Sequence, residues 1–383
     1  MHDRERKPQV QAASEACTSD AQQPKSAAGA SLQTPALDSN PVIACATDDR
    51  YAMPLSVTMR TAARQLPSGK RLTLYVLDGG ISEENRRRLE RSWCDVPIDV
   101  NWLRPDSSQV AGLKTSHHIS PVAYYRILLP HVLPESLDRV LYLDCDLLIR
   151  ANLMELWNQR LNQDWCLAIP DVACPNVDAR QGMSNFRRAC PYLASLRPIP
   201  NYPEFNISPA APYFNSGVLL INLAAWRREG LPEKMLDCLR EHERHVWCWD
   251  QYALNIALAG HWRPLPLRWN VGTHVFEYPS IDHAPLPRDQ FAEALEDPSI
   301  VHFTTEFKPW NYGIDHPYRT AFFDVLDETA WSGWRPEKPP FQLKSWWDRR
   351  AVAIQKQVVI SYRKLRAVGH PETHATAPRH AQT

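Results

Sequence analysis

The chain contains no Cys-x-x-Cys pair, no G-x-G-x-x-G or Walker-type phosphate loop, no long uncharged apolar run and no excess of charge of either sign. Each absence removes a class of function. The nine cysteines are odd in number and scattered, with Cys45 and Cys145 inside apolar runs, so they read as reduced, packed thiols of a cytoplasmic protein. Without a glycine-rich loop or a Walker lysine, the usual main-chain cradles for a dinucleotide or a triphosphate are missing, and any phosphate bound here calls for a metal to neutralise it. No stretch reaches the roughly 18 uncharged apolar residues of a membrane span. The opening "MHDRERKPQV" has no apolar segment after it, so neither an integral protein nor an evident export signal is expected. Lys plus Arg and Asp plus Glu are 43 each, so nothing global attracts a polyanion and no nucleic-acid partner is expected.

What is present is a chain of 383 residues, 44% hydrophobic, long enough for one large or two moderate domains. Residues 1–40 are rich in Ala, Ser, Gln and Pro with little apolar bulk, which predicts disorder. From Pro41 apolar runs alternate with helical patterns. "PVIACAT" precedes a helix over 52–66. "RLTLYVL" and a "DGG" turn precede a helix capped by Ser82, with Glu83 and Glu84 early and arginines late to suit the helix dipole. "IDVNWL", a helix around "VAYYRILL" and a strand ending at Asp144 follow. This rhythm predicts an α/β fold, a mainly parallel central sheet flanked by helices on both faces. In such sheets ligands gather beyond the carboxyl ends of the strands. Asp48 and Asp49 end the first strand and Asp144 and Asp146 the fourth, so two acidic clusters are expected to face one crevice.

The stretch "VLYLDCDLLI", Val140 to Ile149, sets two carboxylates in an otherwise apolar run. Buried unpaired carboxylates are costly, so the pair must reach solvent, take up protons or hold a cation. Side chains two apart in extended chain point the same way and suit one hard cation. His302, ending a short apolar strand in "SIVHFTTEFKPWNY", is the best third ligand, and carboxylates with imidazole suit manganese better than calcium. Taken singly these residues have plainer readings. An Asp-x-Asp after a strand is also a turn or cap, His302 a core histidine, Lys308 a solvated charge, Asn215 a turn residue, Gly217 a β-bulge, and Asp250 the N-cap of "WDQYALNIAL". Only their order and spacing together favour a metal site. The Pro-rich segment 172–212 is poorly periodic, and a connection of that length is usually functional or mobile.

That order resembles glycosyltransferase family 8, the bacterial lipopolysaccharide galactosyl- and glucosyltransferases and their glycogenin relatives. The resemblance covers roughly residues 41–325 and rests on "ATDDRY" (46–51), "SPVAYYRILLP" (120–130), "VLYLDCDLLI", "YFNSGVLLINLAAWR", "WDQYALN" and "HFTTEFKPW". It implies a GT-A type nucleotide-diphospho-sugar transferase fold. It also implies a retaining enzyme that moves galactose or glucose from a UDP-sugar to a saccharide or glycolipid acceptor in cell-surface glycan synthesis. Asp144, Asp146 and His302 would hold Mn2+, with Mg2+ the alternative. Ala46, Asp48 and Tyr51 would lie on the uridine side, Arg126, Asn215 and Gly217 at the sugar, Thr305 and Lys308 at the diphosphate, and Asp250 and Gln251 beneath the anomeric carbon. Arg50 stands where the family often has Asn, His117 where a basic residue commonly reaches the donor, and Thr305 where Gly is usual, so Thr305 is expected to crowd a main-chain approach to the diphosphate.

Residues 326–368 are read as a basic amphipathic helical segment and 369–383 as a disordered tail. Within 341–366 there are seven basic residues against the single Asp348, with Trp347, Ile354, Val358 and Leu365 near helical spacing. Such a helix suits an anionic lipid surface on the inner face of the plasma membrane, or equally a docking face on the catalytic domain. Two other functions compete. A haloacid-dehalogenase-like Mg-dependent phosphatase also carries Asp-x-Asp after a strand, although there Thr or Val is expected where Leu148 stands. A non-catalytic nucleotide-sugar-binding protein is the other.

Overall fold

A computed structural model of the chain describes residues 39–115, 120–306, 308–338, 354 and 357–366. The expectations for residues 1–38 and 369–383, and for His117, lie outside the described residues, as do 339–353, 355–356 and 367–368 of the carboxyl-terminal segment; of the helix expected over 326–368, residues 327–338 are turn and coil and 357–366 are helical. Ten strands are present among them: β1 (Val42–Thr47), β2 (Leu72–Asp78), β3 (Ile98–Leu103), β4 (Arg139–Leu143), β5 (Leu147–Ile149), β6 (Cys166–Pro170), β7 (Phe214–Asn222), β8 (Trp262–Pro264), β9 (Val271–Gly272) and β10 (Ile300–His302). Seven form one sheet in the order β3-β2-β1-β4-β7-β6-β8, and three form a second in the order β5-β10-β9. β7 runs antiparallel to both neighbours, while every other pairing of the large sheet is parallel. The expected mainly parallel α/β architecture is therefore present.

Both faces of the large sheet are covered at its centre, which explains why β1 and β4 read as near-continuous apolar runs, whereas the edge strand β3 (IDVNWL) alternates with exposed Asp99. Along β4, Leu141 and Leu143 enter one core and Val140 and Tyr142 the other. β1 divides in the same way, with Ile43 and Cys45 on one side and Ala44 on the other. Helix α1 (Ala52–Arg64) is buried almost throughout, and its hydroxyls hold the Asp-x-Asp segment in place. Thr58 Oγ1 lies 2.9 Å from the carbonyl oxygens of Cys145 and Leu147 and accepts the Leu147 N–H at 3.0 Å, and Thr61 Oγ1 accepts the Ile149 N–H at 3.1 Å. α1 thereby supplies the partners that β5 lacks on that side. Helix α2 (Glu83–Trp93) begins as expected, with Ser82 Oγ accepting the Asn85 N–H.

Two expectations change in form. The segment around "VAYYRILL" is a 3-10 run, Pro121–Leu128, followed by the single α-turn Leu129–Val132. Pro130 has no N–H to give the Arg126 carbonyl, which takes the Leu129 N–H in the tighter pattern instead. Residues 172–212 fold into the short turns Ala179–Gly182, Phe186–Ala189 and Tyr202–Phe205. The first two surround a small core of their own that includes Met183, Phe186 and Leu193. Among the described residues no helix is long and apolar enough to cross a membrane, and every cysteine is a free thiol.

Candidate active site

The two sheets meet where β4 ends and β5 begins. The three residues between them, Asp144, Cys145 and Asp146, belong to neither strand, so the carboxylates are presented at a junction and not along an extended chain. Three elements converge on it. The Asp144 N–H donates to the Gly217 carbonyl of β7 at 2.9 Å. β10 pairs antiparallel with β5 and sets His302 opposite Leu147. β1 ends alongside at Thr47. The result is a cavity of about 220 Å³ lined by Ala46, Asp48, Tyr51, Arg126, Asp144, Asp146, Asn215, Asp250, Gln251, His302 and Lys308.

Each carboxylate divides its two oxygens. Asp144 Oδ1 accepts from Arg126 Nη2 at 2.9 Å, and Asp146 Oδ2 accepts from Lys308 Nζ at 2.6 Å. The remaining oxygens face one nitrogen, with His302 Nε2 lying 3.2 Å from Asp146 Oδ1 and 3.7 Å from Asp144 Oδ2. Burial raises the Asp146 pKa, but Lys308 and His302 outweigh it and hold the carboxyl well below the usual range. Ligand atoms of Asp144, Asp146 and His302 all lie within 4.8 Å of one another, and two hard oxygens with an imidazole nitrogen fit a divalent cation. Gly217 makes the fit possible. A Cβ there would stand 2.3 Å from His302 Cε1 and 2.8 Å from Asp144 Oδ2. The register shift between β6 and β7 at this point shows that close approach and bulge are both true of it.

Arg126 is buried and links the floor of the cavity. Besides Asp144 it reaches the Ser216 carbonyl and lies over the Tyr142 ring at 4.5 Å. Its Nε is 3.0 Å from Asp250 Oδ2 but is directed at the Ala123 carbonyl, so charge and not an aligned hydrogen bond holds Asp250. Burial pushes the Asp250 carboxyl up to about 6, against the pull of Arg126 and with the help of Asp144. The expectation of Asp250 as an N-cap is corrected. Cys248 occupies that position of the Trp249–Ala257 helix, and Asp250 lies in its first turn. Trp249 takes the left-handed conformation, φ 42°, which costs an aromatic residue energy and turns Asp250 and Gln251 toward the cavity.

With this geometry in place, comparison with known proteins is decisive. Residues 42–313 match the family model described as glycosyl transferase family 8. The chain belongs to glycosyltransferase family 8. It is 31% identical over 294 residues to general stress protein A of Bacillus subtilis, a match spanning 76% of this chain and 94% of that one. It is 25% identical to a lipopolysaccharide 1,2-glucosyltransferase of Escherichia coli, spanning 74% and 77%. The crystal structure of the galactosyltransferase LgtC with donor and acceptor sugar analogs shares the GT-A fold, with TM-score 0.62, 24% identity, and coverage of 77% of this chain and 98% of that one. Hexosyl transfer is the activity that family and relatives support. The phosphatase reading falls with it.

Not every anticipated family 8 residue reaches this cavity. Asp48 does, and it also caps the Asp49–Tyr51 turn and pairs with Arg50 at 2.9 Å. Asp49 turns away to accept from the Ser82 N–H at 2.7 Å and Asn85 Nδ2 at 2.9 Å, so it anchors α2 and takes no part in an acidic cluster. Thr305 lies on the wall of an adjoining cavity of about 440 Å³, with Asp171, Trp247, His274 and Glu306. Gln251, Asn215, Cys248 and Thr304 line both cavities. Sequence reasoning missed Asp171 and Asn270. Asp171 follows β6 directly, so the rule that singled out Asp48 and Asp144 could have found it. Nothing in "RWNVG" distinguishes Asn270 from an ordinary turn residue.

Proposed function

We propose that this family 8 enzyme transfers a hexose, galactose or glucose, from a UDP-sugar to a saccharide acceptor with retention of anomeric configuration and dependence on Mn2+. The observation that carries the reading is the trio of facing ligand atoms from Asp144, Asp146 and His302. Bound there, the cation would stabilise negative charge on the departing UDP. The chain's own groups do the rest. Lys308 exchanges Asp146 for the diphosphate. Arg126 fixes Asp144, while Ala46, Asp48 and Tyr51 meet the uridine, and Asn215 and Gly217 set the floor beneath the sugar. The Thr305 loop bounds the diphosphate side.

Asp250 is held by Arg126 and Gln251 is an amide, so neither is a strong nucleophile. This favours attack by the acceptor hydroxyl on the face from which UDP leaves, with both side chains positioning the sugar. The acceptor occupies the adjoining cavity, where the exposed Trp247 ring offers an apolar face to a pyranose. Asp146→Asn is expected to abolish UDP release from UDP-galactose and UDP-glucose together with metal-dependent UDP binding. Near-normal turnover of that variant in manganese would overturn the assignment. Full UDP binding by the wild-type protein with no sugar release, whatever the acceptor, would favour the non-catalytic reading.

Peripheral membrane attachment on the cytoplasmic side is part of the same proposal. Within the described helix 357–366, Arg363 Nη1 donates to the Cys190 carbonyl at 3.2 Å and to that of Leu193, and Lys364 lies over Tyr192. The helix thus docks through one side while Val358, Tyr362 and Leu365 are exposed on the other, in line with Ile354. Arg366 beside an apolar stripe supports attraction to anionic lipid. Val358→Asp with Leu365→Asp is expected to abolish sedimentation with anionic liposomes, and unchanged sedimentation removes the idea.

A further inference from the structure

The polar groups behind the two cavities form one continuous chain whose donors and acceptors can be assigned without ambiguity. Two main-chain N–H groups and one carboxylate fix it. The Ser216 N–H points at Gln251 Oε1 at 3.0 Å, so the other end of that amide is Nε2, which donates to Asp171 Oδ2 at 2.9 Å. The Gly217 N–H points at Asn215 Oδ1 at 3.0 Å, which leaves Asn215 Nδ2 to donate to the same Asp171 oxygen at 3.4 Å. Asp171 Oδ1 meanwhile accepts the Ala173 N–H at 2.7 Å. A carboxylate only accepts, and these three donors agree with that.

The assignment propagates one step further. Asn215 Oδ1 also receives Asn270 Nδ2 at 2.9 Å, so the end of the Asn270 amide facing the histidine is its carbonyl, 2.8 Å from His302 Nδ1. An acceptor at that position requires a proton on Nδ1. Nε2, on the opposite side of the ring, is then the atom directed at Asp144 and Asp146.

We infer that Asn270 is a positioning residue that fixes His302 as the Nδ1–H form with Nε2 committed to the cation site, and that Asp171, through Asn215, sets the polarity of Asn270 while orienting the Gln251 amide directly. The inference rests on the proposed role of His302 as a metal ligand. It adds that the ion site and the amide beneath the sugar are aligned by the same buried carboxylate. Partners of this kind around a ligating histidine typically change metal affinity about 10–100-fold when removed.

The first test needs no metal. In the long-range 1H–15N spectrum of the metal-free, full-length protein, with the His302 signals assigned by their loss in His302→Gln, Nδ1 is expected to carry hydrogen in the wild type and to lose that fixed assignment in Asn270→Leu. An unprotonated Nδ1 in the wild type overturns the inference. The second test is calorimetric titration of Mn2+ in the presence of UDP. Asn270→Leu is expected to bind about 10–100-fold more weakly, whereas Asn270→Asp loses the bond to Asn215 Oδ1 but keeps an accepting oxygen toward Nδ1, and is expected to bind Mn2+ more tightly than the Leu variant. Equal weakening in both variants would mean that the accepting oxygen is not what matters and would refute the assignment, and because Asn270→Asp preserves volume and the oxygen facing Nδ1, its nitrogen spectrum keeps the question decidable if the Leu variant misfolds: a fixed Nδ1 proton is expected there, and its loss refutes the assignment. Asp171→Asn cannot satisfy all three donors in either amide orientation. It is expected to lower kcat through Gln251 and to weaken Mn2+ binding through Asn215 and Asn270; an unchanged kcat refutes the Gln251 branch and an unchanged Mn2+ affinity refutes the Asn215 branch. A wild-type protein that binds no Mn2+ would remove the functional reading while the nitrogen spectrum still decided the tautomer.

Discussion

Gly217→Ala is the substitution whose outcome follows most directly from distances. The added methyl would stand 2.3 Å from His302 Cε1 and 2.8 Å from Asp144 Oδ2, where ordinary contact begins near 3.4 Å. Separating the methyl from the ring requires a shift of at least about 1 Å, and neither partner is free to move. The His302 ring is 4% exposed and bonded to Asn270 at 2.8 Å, and Asp144 is held by Arg126 at 2.9 Å. Moving Gly217 instead would break its carbonyl bond to the Asp144 N–H, which sets the same carboxylate. Overpacking of this sort costs about 1–3 kcal/mol, which in a domain of this size lowers Tm by roughly 2–5 °C. The functional effect should be larger than the stability effect, because a displacement of about 1 Å in a positioned group can cost on the order of 100-fold in rate. Thermal melting, Mn2+ titration with UDP and UDP release from both UDP-hexoses measure the three quantities. A folded Gly217→Ala protein with wild-type Mn2+ affinity and turnover would refute the reasoning, since the methyl would then have to fit where the structure leaves no room.

Arg126→Met leaves Asp144 and Asp250 without their shared buried cation. Loss of one partner of a buried pair costs about 3–5 kcal/mol, so the urea midpoint should fall sharply, and a midpoint within error of wild type would contradict the pairing. His316 contributes to acid sensitivity. Its burial against Phe303 and Phe276 lowers its pKa from 6.5 to about 4, while Asp315 and Glu277 pull the other way. The folded chain therefore binds this proton less readily than the unfolded chain, and the resulting stability is present above about pH 6.5 and lost as pH falls toward 4. The shift sets an upper bound of about 3 kcal/mol. His316→Phe should flatten urea stability between pH 7 and pH 4.5, and an unchanged pH dependence would refute the assignment.

The fold was legible because its signals are local. Apolar runs, the Ser82 cap and the carboxyl-end rule each depend on a few adjacent residues, and the sheet they imply is present. The site was legible only in part. Asp144, Asp146 and His302 declare themselves because charge in an apolar run needs explanation. Asp48 and Asp49 looked alike in sequence, and only the approach of Ser82 and Asn85 separates an anchor for α2 from a residue of the cavity. Asp250 read as an N-cap because a helix start cannot be placed to the residue from sequence, and the left-handed Trp249 shifts that start by two positions. Asn270 was invisible for a deeper reason. Its role lies in accepting one bond and donating another across 32 and 55 positions of sequence respectively, and no local pattern encodes that.

The question posed by two carboxylates in an apolar run has a physical answer that takes two parts. Arg126 and Lys308 each pair with one oxygen of a carboxylate, which offsets the cost of burying both acids. It is not enough to accept a diphosphate, because Asp250 adds a third carboxylate against those two cations and Arg50 is already engaged by Asp48. The cavity by itself is thus net negative and repels the nucleotide it is shaped to hold. A divalent ion held by the facing oxygens of Asp144 and Asp146 and by His302 would reverse that sign, and Lys308 would then be free to meet the phosphates. On the proposed function the protein cations hold the site open, and the metal would make it attractive to the nucleotide. That division would account for Lys308 pairing with Asp146 instead of pointing into solvent.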